Sequence, residues 1–121
     1  GMERAAALRE LARALERGPI ALTPEGLESR GRLIEPAPGT GLFLASLCRR
    51  GAPLLPVGLW EDDAGVFHVR FGQPFALDLP RGASREEEDR LARTQVMLAI
   101  GRLLPPEWRG VYREALEGVA G

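Results

Sequence analysis

The sequence predicts an α/β layered domain, with a small mixed sheet flanked by helices. Three observations predict it. Apolar residues recur at helical spacing over 3–17 and again over 84–104. Between them, an apolar run at 54–60 and a strictly alternating run at 66–71 are separated by turn residues. The chain has 121 residues, 45% of them apolar, which suits one hydrophobic core and one domain over 1–121.

The elements follow in chain order. Glu3 to Arg17 reads as a helix, with Leu8, Leu11, Ala12 and Leu15 on one face and Gly18-Pro19 ending it. Ile20 to Thr23 is a short apolar run, taken as a buried strand. Pro24 to Pro38, with three prolines and scattered charges, reads as a long loop, a feature usually functional or mobile in a small domain. Thr40 is the expected cap of an apolar, buried helix from Gly41 to Arg50, closed by Gly51. Leu54 to Trp60 is the next strand, and Asp62-Asp63-Ala64-Gly65 supplies turn chemistry. Val66 to Phe71 then completes a hairpin. It carries Phe67, Val69 and Phe71 on one face and Val66, His68 and Arg70 on the other, wetter one. Ser84 and Glu87 form a capping-box pattern for a helix reaching about Leu104, and Glu86 to Asp89 set four acids at its positive end. Its apolar face is Ala92, Val96, Ala99 and Leu103. Pro105-Pro106 stops it, and a last helix is expected over Glu107 to Glu117.

Composition excludes several kinds of activity. Sixteen basic residues, all of them arginine, nearly balance seventeen acids, leaving a net charge of −1. No strong basic field is present, and no nucleic-acid partner is expected. The longest apolar run, from Gly41 to Cys48, is far short of the roughly 20 residues that span a bilayer, so no transmembrane segment is expected. A cytoplasmic location follows, with the periphery of a membrane as the alternative. One cysteine and one histidine preclude a disulfide framework or a two-histidine metal centre within one chain, and neither metal nor cofactor is expected. Cys48, among Leu44 and Leu47, reads as a structural thiol and His68 as a solvated strand position. Gly1 ahead of Met2 reads as the remnant of a removed tag.

The informative segment is Thr23-Pro24-Glu25-Gly26-Leu27-Glu28-Ser29-Arg30. An acid directly after a strand and a proline sits where open α/β sheets bind ligands, and Arg30 and Arg32 follow within reach of an anion. A solvent-exposed charged turn explains the same residues equally well on spacing alone.

Order along the chain adds to this. After Pro24-Glu25-Gly26, Ser29-Arg30 and Arg32-Leu33 come Gly39, the apolar helix and Gly51-Ala52-Pro53-Leu54-Leu55-Pro56-Val57. The hairpin ends in Val69-Arg70-Phe71-Gly72-Gln73-Pro74-Phe75, and Leu104-Pro105-Pro106-Glu107-Trp108-Arg109-Gly110 follows. These segments, over about residues 18–110, resemble the C-terminal half of the phospholipid/glycerol acyltransferases, the family that includes 1-acylglycerol-3-phosphate acyltransferase. The resemblance implies acyl transfer from a coenzyme A or carrier-protein thioester to a glycerol-phosphate or lysophospholipid hydroxyl. By resemblance, Glu25, Gly26 and Arg30 hold the acceptor and its phosphate.

Two departures accompany it. The family's N-H-x-x-x-x-D block, in which the histidine is the general base, has no counterpart, because the 24 residues before Glu25 contain no His, Asp or Asn. His68 follows the acceptor block and cannot be matched to it. Leu27-Glu28 replace the family's Thr-Arg, and Ala37-Pro38 replace a basic pair. The expectation is an acyltransferase-like chain without a catalytic residue of its own, incomplete as a catalyst. A sheet reduced in this way has open edges, which implies a homodimer or a partner chain that completes it. The alternative is a non-catalytic binding or interaction module that docks through the Glu25–Arg32 loop and the first helix.

Overall fold

The structure is a computed structural model and describes residues 2–25 and 31–119. Its centre is a pair of helices, α2 (Thr40–Arg49) and α3 (Arg85–Gly101). They pack closely because Gly41 lies against α3. A Cβ at Gly41 would stand 2.0 Å from the backbone oxygen of Asp89. Leu44, Ala45 and Leu47 of α2 and Ala92, Val96 and Met97 of α3 are buried, Met97 completely. Leu33 and Leu104 join Met97 in the core, with Trp60, Ile100, Trp108 and Tyr112 packed around them. Leu33 reaches this core from the loop between the first two helices. α1 (Met2–Arg17) has the expected extent and buries Ala12, with Leu8, Leu11 and Leu15 half-buried on the same face.

β1 (Val57–Glu61) and β2 (Phe67–Phe71) form an antiparallel hairpin in which Trp60 faces His68, Leu59 faces Val69 and Val57 faces Phe71. Leu54 and Phe75 exchange two further backbone bonds beyond the strands. The Asp62 carboxylate builds the turn: Oδ1 accepts from the amides of Ala64 and Val66, each at 2.9 Å. Gly65 completes it at φ +80°, a left-handed conformation that costs glycine little.

Four expectations are corrected. The sheet among the described residues is a two-stranded antiparallel one, not mixed, because Ile20 to Thr23 forms no strand. Those residues are half-buried to exposed, and an isolated strand without a neighbour leaves its backbone groups to water. The alternation in β2 is as read, but its sense is reversed. Phe67, Val69 and Phe71 face outward, while Trp60, His68 and Arg70 turn towards the core side. The reason is Gly58 on that inner face, where a Cβ would stand 2.9 Å from the Leu103 Cβ. α3 stops at Gly101, three residues early. A Cβ there would lie 2.6 Å from Leu116.

Finally, no continuous helix spans 107–117. Two 3-10 turns, Pro106–Trp108 and Gly110–Tyr112, precede α4 (Arg113–Val119). Leu33 causes the break. Its amide donates to the Trp108 carbonyl and its carbonyl accepts from the Val111 amide, each at 3.2 Å, which diverts both groups from helical pairing. Gly110, at φ +55°, makes the passage possible, since a Cβ there would collide with the Leu33 backbone.

Candidate functional site

Glu25, in the segment that follows α1, is part of the lining of a cleft of about 330 Å³. One wall is Leu22, Thr23 and Pro24. The other is Pro38, Gly39 and Thr40 with Phe43 and Leu44 from the first turns of α2. The lining is mostly apolar, with the Glu25 carboxylate and the hydroxyls of Thr23 and Thr40, one from each wall, among its polar groups. Of the three acceptor residues implied by resemblance, the structure places Glu25 here. Gly26 and Arg30 lie outside the described residues.

The electrostatics of the cleft are set from behind by Asp89. Thr40 is not the cap of α2. Gly39 occupies that position, in a left-handed conformation at φ +97°, without a side-chain bond of its own. Asp89 of α3 supplies the cap instead: Oδ2 accepts from the Gly39 amide and Oδ1 from the Leu42 amide, both at 3.0 Å. Asp89 is 6% exposed, so burial pushes its carboxyl up. The amides of Gly39 and Leu42, Arg93 and the Gly41 amide outweigh that and leave it below the usual carboxylate range. Arg93 Nε lies 3.2 Å from Asp89 Oδ2 in an ionic contact that is not aligned as a hydrogen bond. Its Nη1 donates to the Pro36 carbonyl at 3.3 Å. The positive end of α2 beside the cleft is thus already matched by an internal acid, and a ligand phosphate must find its cation elsewhere.

Tyr112 belongs to the same neighbourhood. Burial pushes its hydroxyl up to about 12, the charge of Glu35 adds to this, and that of Glu25 contributes last. It stays protonated at any ordinary pH. Among the described residues no group of three or more His, Cys, Asp or Glu side chains is arranged to hold a metal ion.

His68 keeps part of the exposure expected of a solvated strand position, but it is held by two partners. Its ring stacks on Trp60 with centroids 4.9 Å apart and planes 8° apart, and Nε2 lies 2.8 Å from Asp62 Oδ2. Arg70 lies 5.0 Å from the centroid of the same Trp60 ring and donates to the Leu103 carbonyl at 3.1 Å. An imidazole oriented by a carboxylate is the arrangement a general base uses. Here the carboxylate is also the frame of the hairpin turn, and the described lining of the Glu25 cleft includes no hairpin residue. Sequence signals for this pair existed in the six-residue spacing across an Asp-Asp-Ala-Gly turn. Cys48 is half-buried, and burial raises its thiol, which keeps it protonated and unreactive.

No protein-family model, curated protein or solved structure matches the chain.

Proposed function

We propose that this chain is the acceptor-binding part of a phospholipid/glycerol acyltransferase-like protein, incomplete as a catalyst by itself. It holds the glycerol-phosphate or lysophospholipid acceptor of an acyl-thioester reaction, and the base that would activate the acceptor hydroxyl is supplied from outside these 121 residues. The observation that carries this is the position of Glu25. A carboxylate in the lining of a cleft that also holds Leu22, Phe43 and Leu44 suits an amphiphile whose hydroxyls meet the acid while its acyl chain lies on carbon.

The test pairs binding with turnover. Calorimetric titration with lysophosphatidate is expected to show saturable binding, weakened about tenfold by Glu25→Ala through loss of a charge-assisted hydrogen bond. Thiol release from an acyl-coenzyme A, with lysophosphatidate or glycerol 3-phosphate, is expected to stay at background. Absence of binding would refute the acceptor site. Acceptor-dependent thiol release would refute the incompleteness, and His68→Gln would then test whether the Asp62-oriented imidazole is the base. A purely interacting module is the second reading, and one observation favours it: the large apolar face that the hairpin leaves in solvent.

A further inference from the structure

We infer that two copies of this chain associate through the outer face of the β1–β2 hairpin, sheet on sheet about a two-fold axis. This stands independently of the acyl-transfer reading. Phe67 is 70% exposed, Phe71 66%, Leu59 55%, Val69 54% and Leu55, just before β1, 52%. The register puts Val57, Leu59 and Glu61 of β1 opposite Phe71, Val69 and Phe67 of β2, so these side chains share one face. That face is preformed. Gly58 and Gly72 on the hairpin lie against Leu103, and Arg70 ties β2 to the Leu103 carbonyl, so docking requires no rearrangement.

Area, shape and charge select a second copy as the occupant. At those exposures Phe67 and Phe71 present on the order of 270 Å², and Leu59 and Val69 on the order of 180 Å² more. That is the scale at which an exposed apolar patch marks an interaction site, and more than half of the roughly 800 Å² per partner of a standard interface. A two-fold axis through the Leu59–Val69 pair sets Phe67 of one copy over Phe71 of the other, with the smaller residues at the axis. Sheets packed face to face in this way bury both faces at once.

Glu61 is the one acid on this face and lies at its end, opposite Phe67. The two-fold therefore separates the two copies' Glu61 residues, each shifted roughly 13 Å along the strand from where it would meet its twin. A net charge of −1 per chain adds little repulsion. An anionic bilayer fits less well, because Glu61, Asp62 and Asp63 sit where the hairpin turns.

Sedimentation equilibrium from about 1 to about 300 µM, a range that brackets micromolar affinity, tests the proposal. The expected result is a concentration-dependent dimer, weakened at least about tenfold by Phe67→Ser and by Val69→Thr, with monomer unfolding temperatures unchanged in dilute solution. Val69→Thr keeps the β-branched shape, so it remains informative if Phe67→Ser impairs folding. A monomer at the highest concentration would overturn the proposal. So would variants that dimerise as the parent does, which would place the interface elsewhere. Co-flotation of monomeric chain with phosphatidylcholine vesicles would overturn it too, and would make lipid the occupant.

Discussion

Replacing Asp89 by alanine removes the group that joins α3 to the start of α2. Two backbone amides, of Gly39 and Leu42, lose a charged acceptor at 3.0 Å, and Arg93, whose Nε is buried, loses its buried counter-ion and keeps only the exposed Glu35, 3.4 Å from its Nη1. A hydrogen bond to a charged group is worth about 1.5–3 kcal/mol, and breaking one side of a buried ion pair costs about 3–5 kcal/mol. These overlap, because they describe the same carboxylate. A loss of about 3–5 kcal/mol is therefore expected, or roughly 12–20 °C in unfolding midpoint for a chain of this size.

Asp89→Asn keeps an oxygen for one amide and should lose less, about 1–3 kcal/mol. Removing Arg93 as well, in Asp89→Ala/Arg93→Met, should recover part of the loss, since no largely buried guanidinium is then left with only the exposed Glu35 as partner. The pH dependence has a definite sign. Asp89 is depressed in the folded chain, so its stabilisation is full above the unfolded value near 3.9 and is lost as pH falls through the lower folded value. Asp89→Asn should flatten that part of the acid limb. Chemical denaturation of the four proteins at pH 7, with a pH series for two, measures all of this. A loss under about 1 kcal/mol for Asp89→Ala would refute the reasoning and mean that water serves the amides of α2 equally well.

Three further outcomes are expected. Gly41→Ala puts a Cβ onto the Asp89 carbonyl and should cost about 3 kcal/mol by forcing α2 and α3 apart, whereas Gly82→Ala, with open space around its Cβ, should cost about 1–2 kcal/mol from its positive φ alone; urea midpoints compare them. Met97→Ala should cost about 3 kcal/mol at the fully buried centre of the core, read as a thermal midpoint shift without a change of fold by circular dichroism. Asp62 is held below the usual aspartate range, first by its bond to His68 and then by the Val66 amide, so carbon-detected titration of its carboxyl in His68→Gln should show the midpoint rising towards the ordinary value.

What could be read in the sequence was what neighbours along the chain decide. α1 ends where Gly18-Pro19 stand, and Ser84 accepts from the Glu87 amide at 3.1 Å as the capping pattern implies. The hairpin is bracketed by its own turn residues, whose bonds all close within six positions. What could not be read was decided by partners far along the chain. The cap of α2 comes from Asp89, some fifty residues later, and nothing in Glu86-Glu87-Glu88-Asp89 distinguishes the one acid that turns inward. The last helix is broken by Leu33, more than seventy residues before it. Even in the hairpin, alternation specifies a period and not a sign. Gly58 and Gly72 held that sign, for the face that lacks a Cβ is the one that approaches another element closely. The same division runs through the site: Glu25 shares its cleft with Phe43 and Leu44 of α2, the helix that Asp89 and Gly41 hold against α3. Loosening that helix pair should therefore weaken any ligand of the cleft without replacing a lining residue, which makes Asp89→Asn a test of the site as well as of the fold.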